Sequence, residues 1–231
     1  MSGIAGQTAG MTTDSNTRTD SSTDSHTDSH TDDHTDTGTD PRALVLAAAA
    51  QARDRIERVR AADLDRPTPC DGWTVRDLLS HLLAVADRIP ALLRGGDPRL
   101  LPRTVDGVAD DGWAAAWTAR EPELAAALAE PDVLGRTVTH PAGPMPAAGA
   151  MLAYTSELCT HAWDLAAALG DTTGFDDRLA EPCLAPLRAF LPPEVRGADE
   201  VPFGAVVPVD DDRPATERLV AWYGRDPRWR P

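Results

Sequence analysis

The chain has 231 residues and a formal charge of −15, with 42% hydrophobic and 26% charged residues. Eight aspartates against Arg18 give residues 1–40 a net −7 and the remainder supplies −8, so both parts repel phosphodiester backbones and anionic lipid, which argues against nucleic-acid and membrane partners. None of the 22 basic residues is lysine, which with the alanine, proline and aspartate excess points to a GC-rich genome. The three cysteines, Cys70, Cys159 and Cys183, are odd in number and irregularly spaced, as suits a reducing cytoplasm rather than a disulfide framework.

From Thr12 to Thr39 the sequence is almost wholly Thr, Ser, Asp and His, with TDSH, TDSH and TDDH repeating every four residues. It holds no aliphatic side chain to bury, so residues 1–40 are expected to be a disordered tail. They lack the apolar and basic regions of a secretory signal. His26, His30 and His34 share the four-residue repeat, but Ser, Thr and Asp disfavour helix interiors, and a solvated leader is the simpler reading than a metal scavenger.

The folded part is expected to run from residue 41 to 231 as one domain. Ala43 to Ala62, after Pro41, carries Leu44, Ala48, Ile56 and Val59 at helical intervals. Pro67, Pro69 and Gly72 then break the pattern, and Thr74 followed by Asp77 marks the start of a second helix, Val75 to about Leu93. Asp110 to Ala129 reads as a third helix in which Pro122 introduces a break. RTVTHPAGPMP fits a small hairpin turning at Gly143-Pro144. A fourth helix spans about Ala147 to Leu169 and ends at Gly170, a fifth covers Asp176 to Phe190, and the tail reads as an extended segment followed by a last helical turn or two. No apolar run approaches the roughly 18 residues a membrane span requires. The fold class is therefore all-α: a four-helix bundle with an added helix and a small β-hairpin.

Glu157 and His161 lie four residues apart on the fourth helix, one above the other on a single face, where a carboxylate and an imidazole can grip one ion. A third ligand is offered by His81, beside Leu78 and Leu82 on the apolar side of the second helix. Each feature alone is ordinary, since such pairs are common on helix surfaces and a histidine in an apolar stripe is usually a satisfied core residue. Together, two histidines and one carboxylate form a recognised catalytic set for zinc, and with more open positions for iron, manganese or nickel. An ion with an open position lowers the pKa of what occupies it, whether water or thiol. Trp73 and Trp163 read as core fillers. Asp164, one turn after His161, could orient that imidazole, although an exposed carboxylate is the ordinary outcome. Cys159 points about 200° away from both Glu157 and His161 at 100° per residue. Cys70, just before the second helix, could be activated by the helix's positive end, but an inert, partly buried thiol is the commoner case. Cys183 offers no partner, and His140 on the hairpin is an alternative ligand.

Thr68 to Leu82, TPCDGWTVRDLLSHL, is similar to the T-P-C-x-G-W-x-V-x-x-L-x-x-H-L motif of the DinB-like bundle proteins related to mycothiol-dependent maleylpyruvate isomerase. Glu157 to Ala166, ELCTHAWDLA, resembles that group's E-L-x-x-H-x-W-D-L-A motif, and FGAVVPVDDDRPATERLVAWYGRDPRW resembles the tail of its short members. The resemblance covers about Asp40 to the C-terminus. It implies a DinB-like metal-binding bundle, an actinobacterial source, and His81, Glu157 and His161 as the metal ligands. It further implies a divalent ion that activates mycothiol as the thiolate nucleophile attacking a small electrophile, with no protein cysteine required. The two-domain isomerase of the group carries a further α/β domain behind the bundle, whereas some forty residues follow the fifth helix here.

The expected function is a divalent-metal-binding protein acting as a mycothiol-dependent thiol transferase or isomerase-like enzyme. Zinc is the first choice of metal, with nickel, manganese or iron as substitutes, and the partners are a low-molecular-weight thiol and a small electrophile. Two rivals accompany this reading. A non-catalytic metal-binding module would have a closed site, completed for example by His140. A metal-dependent hydrolase would need a general base, for which Asp164 is the nearby candidate.

Overall fold

The computed structural model describes residues 40–141, 143–196 and 203–231. The expected disordered tail therefore lies outside the described residues except for Asp40, whose carboxylate caps the first helix by accepting from the Arg42 N–H at 2.9 Å. That helix, α1, runs Pro41–Ile56, six residues shorter at its C-terminus than the alanine pattern predicts. It stops because the next carbonyls are met by tighter bonds, Arg58 N–H to Arg55 and Val59 N–H to Ile56, which swing the chain so that Leu64 becomes buried.

Helix α2 occupies Val75–Leu93 as its sequence predicts. Thr74 and Asp77 form a reciprocal capping box: the Asp77 N–H donates to the threonine hydroxyl, and the Thr74 N–H donates back to the Asp77 carboxylate at 2.9 Å. The expected third helix divides into α3, Trp113–Thr118, and α4, Glu121–Leu128. Pro122 has no N–H for the Thr118 carbonyl, so a continuous helix loses a bond there and its ring crowds the preceding turn. The antiparallel hairpin comprises β1, Thr137–His140, and β2, Gly143–Pro146, with Val138 opposite Met145 and His140 opposite Gly143. Gly143 and Pro144 thus stand in the second strand, and the reversal comes two residues earlier than the Gly-Pro signal indicates.

Helix α5, Ala147–Leu169, is apolar on nearly every side and becomes the central element. It packs against α1, α2, α6 (Asp177–Phe190) and α7 (Ala215–Trp222). Gly170 ends it with φ +83°, a left-handed conformation that glycine adopts without a Cβ penalty. The bundle is formed by α1, α2, the broken α3–α4 and α5, with α6 as the added helix and α7 laid over α5 and α6. Its core includes Leu78, Leu82, Val85, Trp117, Tyr154 and Leu158, and one end is drilled by polar side chains of α2 and α5. Among the described residues no helix is long and apolar enough to cross a membrane.

Candidate metal centre

The loop ahead of α2 is folded on Thr68, whose hydroxyl donates to the Trp73 carbonyl at 2.9 Å and accepts from the Cys70 N–H at 3.2 Å. The Thr68 N–H also donates to the Trp73 carbonyl, and Gly72 turns the corner at φ +74°. This closed loop sets Cys70 and Trp73 against the middle of α5. The Trp73 ring meets His81 edge-on, with centroids 5.0 Å apart, and stacks near-parallel to His161 at 6.3 Å. Its indole thus flanks both imidazoles while packing, partly buried, against the core as its composition suggests; Trp163 is buried elsewhere, with Ala167 and Val220.

His81 comes from the second turn of α2, and Glu157 and His161 from adjacent turns of α5, and the ligand atoms of all three lie within 4.8 Å of one another. Donors bound at 2.0–2.2 Å to one ion can stand up to about 4.4 Å apart, so small side-chain adjustments would let the three share an ion. His81 Nδ1 lies 3.0 Å from the Arg103 carbonyl, which can only accept, so Nδ1 carries the proton. In the neutral ring Nε2 then holds a lone pair, and it lies 3.2 Å from Glu157 Oε1, another lone-pair atom. Two acceptors facing at that distance repel unless a proton or a cation lies between them.

The Arg103 carbonyl is held in place from α2. Ser80 and Val105 exchange bonds, hydroxyl to carbonyl at 2.8 Å and N–H to hydroxyl at 2.9 Å, and Arg88 donates to the Pro102 carbonyl at 2.8 Å. Three side chains of one helix thus fasten residues 102–105 along it. Nothing in the periodicity of α2 discloses this strap.

His161 is oriented from the other side. Its Nδ1 lies 3.0 Å from Asp164 Oδ2, which leaves Nε2 as the ring's free donor atom. Asp164 has no exposed surface, contrary to the ordinary expectation for that position. Arg225, beyond α7, reaches both its oxygens at 3.3 Å and donates to Cys70 Sγ at 2.9 Å, while the thiol donates to Asp164 Oδ2 at 3.1 Å. Burial favours a protonated Asp164, but Arg225, His161 and Cys70 hold its carboxyl below the ordinary range. Burial also lowers the His161 pKa despite Asp164, so the ring is neutral near pH 7, the form that offers a ligand. For Glu157 burial is likewise outweighed where a proton on His81 Nε2 supplies the hydrogen bond and charge between the two groups, and its carboxyl then sits below the ordinary value. Its side chain keeps 29% exposure against 7% for His81, so the open edge of the trio is on the Glu157 side.

Cys70, His161 and Asp164 form a second group of converging ligand atoms. The Arg225 guanidinium already supplies that group's cation, bonding to both the sulfur and the carboxylate, which leaves the trio of His81, Glu157 and His161 as the better metal candidate. Burial, with Asp164 adding to it, pushes the Cys70 thiol far above its ordinary value, so the helix end does not activate it. Cys159 is buried in the core on the far side of α5, and Cys183 donates weakly to the Leu152 and Leu179 carbonyls. His140 lies outside both groups, its ring edge-on to Tyr154 with centroids 5.6 Å apart.

The family model described as the mycothiol maleylpyruvate isomerase N-terminal domain matches residues 45–166. Two uncharacterized proteins of Mycobacterium tuberculosis, Rv0738 of strain H37Rv and MT0763 of strain CDC 1551, are each 35% identical over 173 residues, which is 75% of this chain and 91% of theirs. The crystal structure of the mycothiol-dependent maleylpyruvate isomerase shares the fold at a TM-score of 0.52 with 18% identity, covering 64% of this chain and 67% of that one. The crystal structure of a histidine-to-alanine mutant of that isomerase matches at 0.51 with 17% identity over the same shares.

Proposed function

The chain belongs to the mycothiol maleylpyruvate isomerase N-terminal domain family, and on that premise we propose that it is a cytoplasmic, metal-dependent thiol transferase or isomerase-like enzyme. His81, Glu157 and His161 would hold a divalent ion, zinc ahead of nickel, manganese or iron, and the partners would be mycothiol and a small electrophile. The observation that carries the reading is the contact of His81 Nε2 with Glu157 Oε1 at 3.2 Å while Nδ1 is committed to a carbonyl. A cation shared with His161 resolves that opposition. The mixed nitrogen and oxygen donor set suits the metals named.

When bound, the ion would supply Lewis acidity that makes a coordinated thiol a thiolate near neutral pH. The chain's own residues do the remaining work. Arg103 and Asp164 fix the two imidazoles with Nε2 turned inward, and Trp73 covers both rings against water. The open edge beside Glu157 is where a thiol and an electrophile would enter. No protein thiol is positioned to replace the small-molecule one, since Cys70 is protonated and held by Asp164 and Arg225. The hydrolase alternative is disfavoured because Asp164, its candidate base, lies behind His161 with both oxygens engaged.

The test is elemental analysis of the purified chain and its His81→Ala, Glu157→Ala and Cys159→Ala variants, each titrated with mycothiol by calorimetry. Near-stoichiometric metal in the parent and in Cys159→Ala, lost in the other two, together with metal-dependent thiol binding, is the expected result. Metal without thiol binding would return the protein to the non-catalytic module, and a metal-free parent after incubation with each ion would overturn the proposal.

A further inference from the structure

A chain with a charge of −15 nevertheless gathers four arginines around one cavity. Arg55, Arg58, Arg60 and Arg66, with Asp63 and Asp171, line a space of about 240 Å3 where α1 runs out and α5 ends. It shares no lining residue with the metal trio.

The charges there do not balance. Among the lining side chains four guanidinium groups face two carboxylates, an excess of +2, with Asp54 acting on Arg55 from outside the lining. Asp63 is occupied by the Arg66 side chain at 3.1 Å and the Arg60 N–H at 3.1 Å. Asp171 lies 3.5 Å from Arg58, but its other oxygen is bound by the Thr173 N–H and hydroxyl. The Arg60 side chain has no carboxylate partner among the described residues.

Arg55 is the most deeply buried of the four arginines. Its side chain belongs to a residue only 4% exposed, its Nη2 donates to the Thr173 and Gly174 carbonyls at 2.9 and 3.1 Å, and its guanidinium lies over the Phe175 ring at 4.4 Å. These contacts aim the group but neutralise nothing, and its Nε is buried without a hydrogen-bond partner. Arg55 is thus a buried cation at the wall of a cavity beside three other arginines, an arrangement completed by an anion.

We infer that this cavity is a second ligand site, for a small dianion of the phosphate or phosphate-monoester class. The excess of +2 matches a dianion, and the planar forks of several arginines can each take two oxygens of one tetrahedral head. The cavity has room for the head and a few attached carbons. The site stands independently of the proposed metal chemistry.

The experiment is calorimetric titration of the full chain with inorganic phosphate and, separately, glycerol 3-phosphate, at constant ionic strength and with EDTA present so that no ion at the metal trio can capture phosphate. Saturable binding is expected, weakened roughly tenfold by Arg58→Gln or Arg60→Gln, whose side chains are exposed and not part of the core. Asp171→Asn keeps the acceptor that its turn uses but removes a competing charge, and is expected to tighten binding. Tighter binding of glycerol 3-phosphate than of phosphate would assign the site to an ester, and equal binding would assign it to the free anion. No saturable heat with either probe, or heat unchanged in both arginine variants, would overturn the inference.

Discussion

A carboxylate without solvent contact persists at Asp164 because His161, Cys70 and Arg225 all reach it. Replacing it by asparagine preserves shape but removes the charge that orients His161 and balances Arg225. Asp164→Asn is expected to weaken metal binding by about ten- to a hundredfold, read by competition with a chromogenic chelator. The same variant has a signature in acid. A carboxyl held below its unfolded pKa contributes stability that is complete above the ordinary value of about 4 and is lost as pH falls through the folded value, so Asp164→Asn is expected to flatten the acid limb of the stability profile. The thiols give a separate test. Burial pushes Cys70 and Cys159 well up and Cys183 up to about 12, so iodoacetamide at pH 8 should label none of the three in the native protein at the rate it labels them in urea. The three candidate ligands are legible in the sequence because two share a helix face and the third interrupts an apolar stripe. Asp164 is half-legible: its spacing from His161 is visible, but its burial depends on Arg225, which no local pattern connects to it. Trp73 is hidden for the same reason, since its role comes from a loop folded on Thr68.

Helix α2 shows how one element serves both stability and the site. Thr74 fixes its start, Leu78, Leu82 and Val85 bury one side, and Ser80, His81 and Arg88 strap residues 102–105 to another. Ser80→Ala leaves the Val105 N–H and carbonyl without their bonds, and a loss of about 1–3 kcal/mol in urea unfolding is expected. It also frees the Arg103 carbonyl that holds the His81 proton, so metal affinity should fall in the same variant although no ligand is touched. Helices with strong periodicity and capping residues, α2 and α5 above all, can be placed from sequence almost to the residue. The C-terminus of α1 cannot, because alanine-rich composition continues past the point where Leu64 is drawn into the core. The hairpin's turn is misplaced by Gly143, whose φ of +117° is accommodated within a strand as readily as in the bend that a Gly-Pro pair signals.

At the scale of the molecule, the four-helix arrangement follows from four apolar stretches separated by proline- and glycine-marked breaks, and this much the sequence discloses. What it does not disclose is how the segments after α6 return to the bundle: Tyr223 shares a hydrogen bond with Ser156 at 2.8 Å, and Arg225 enters between Cys70 and Asp164. Deletion of residues 1–39 is expected to leave metal content unchanged by mass spectrometry; its loss would move the ligands out of the bundle. Arg225 stands 61 positions after Asp164. At about 5–20 residues per second, a ribosome needs roughly 3–12 s to cover that distance. For that interval the nascent chain holds the carboxylate that aligns His161 but not the cation that lets it remain ionised in the dry interior. Completion of this buried network is thus a late event in each molecule's history, timed by the emergence of a single arginine rather than by the helices that carry the candidate ligands.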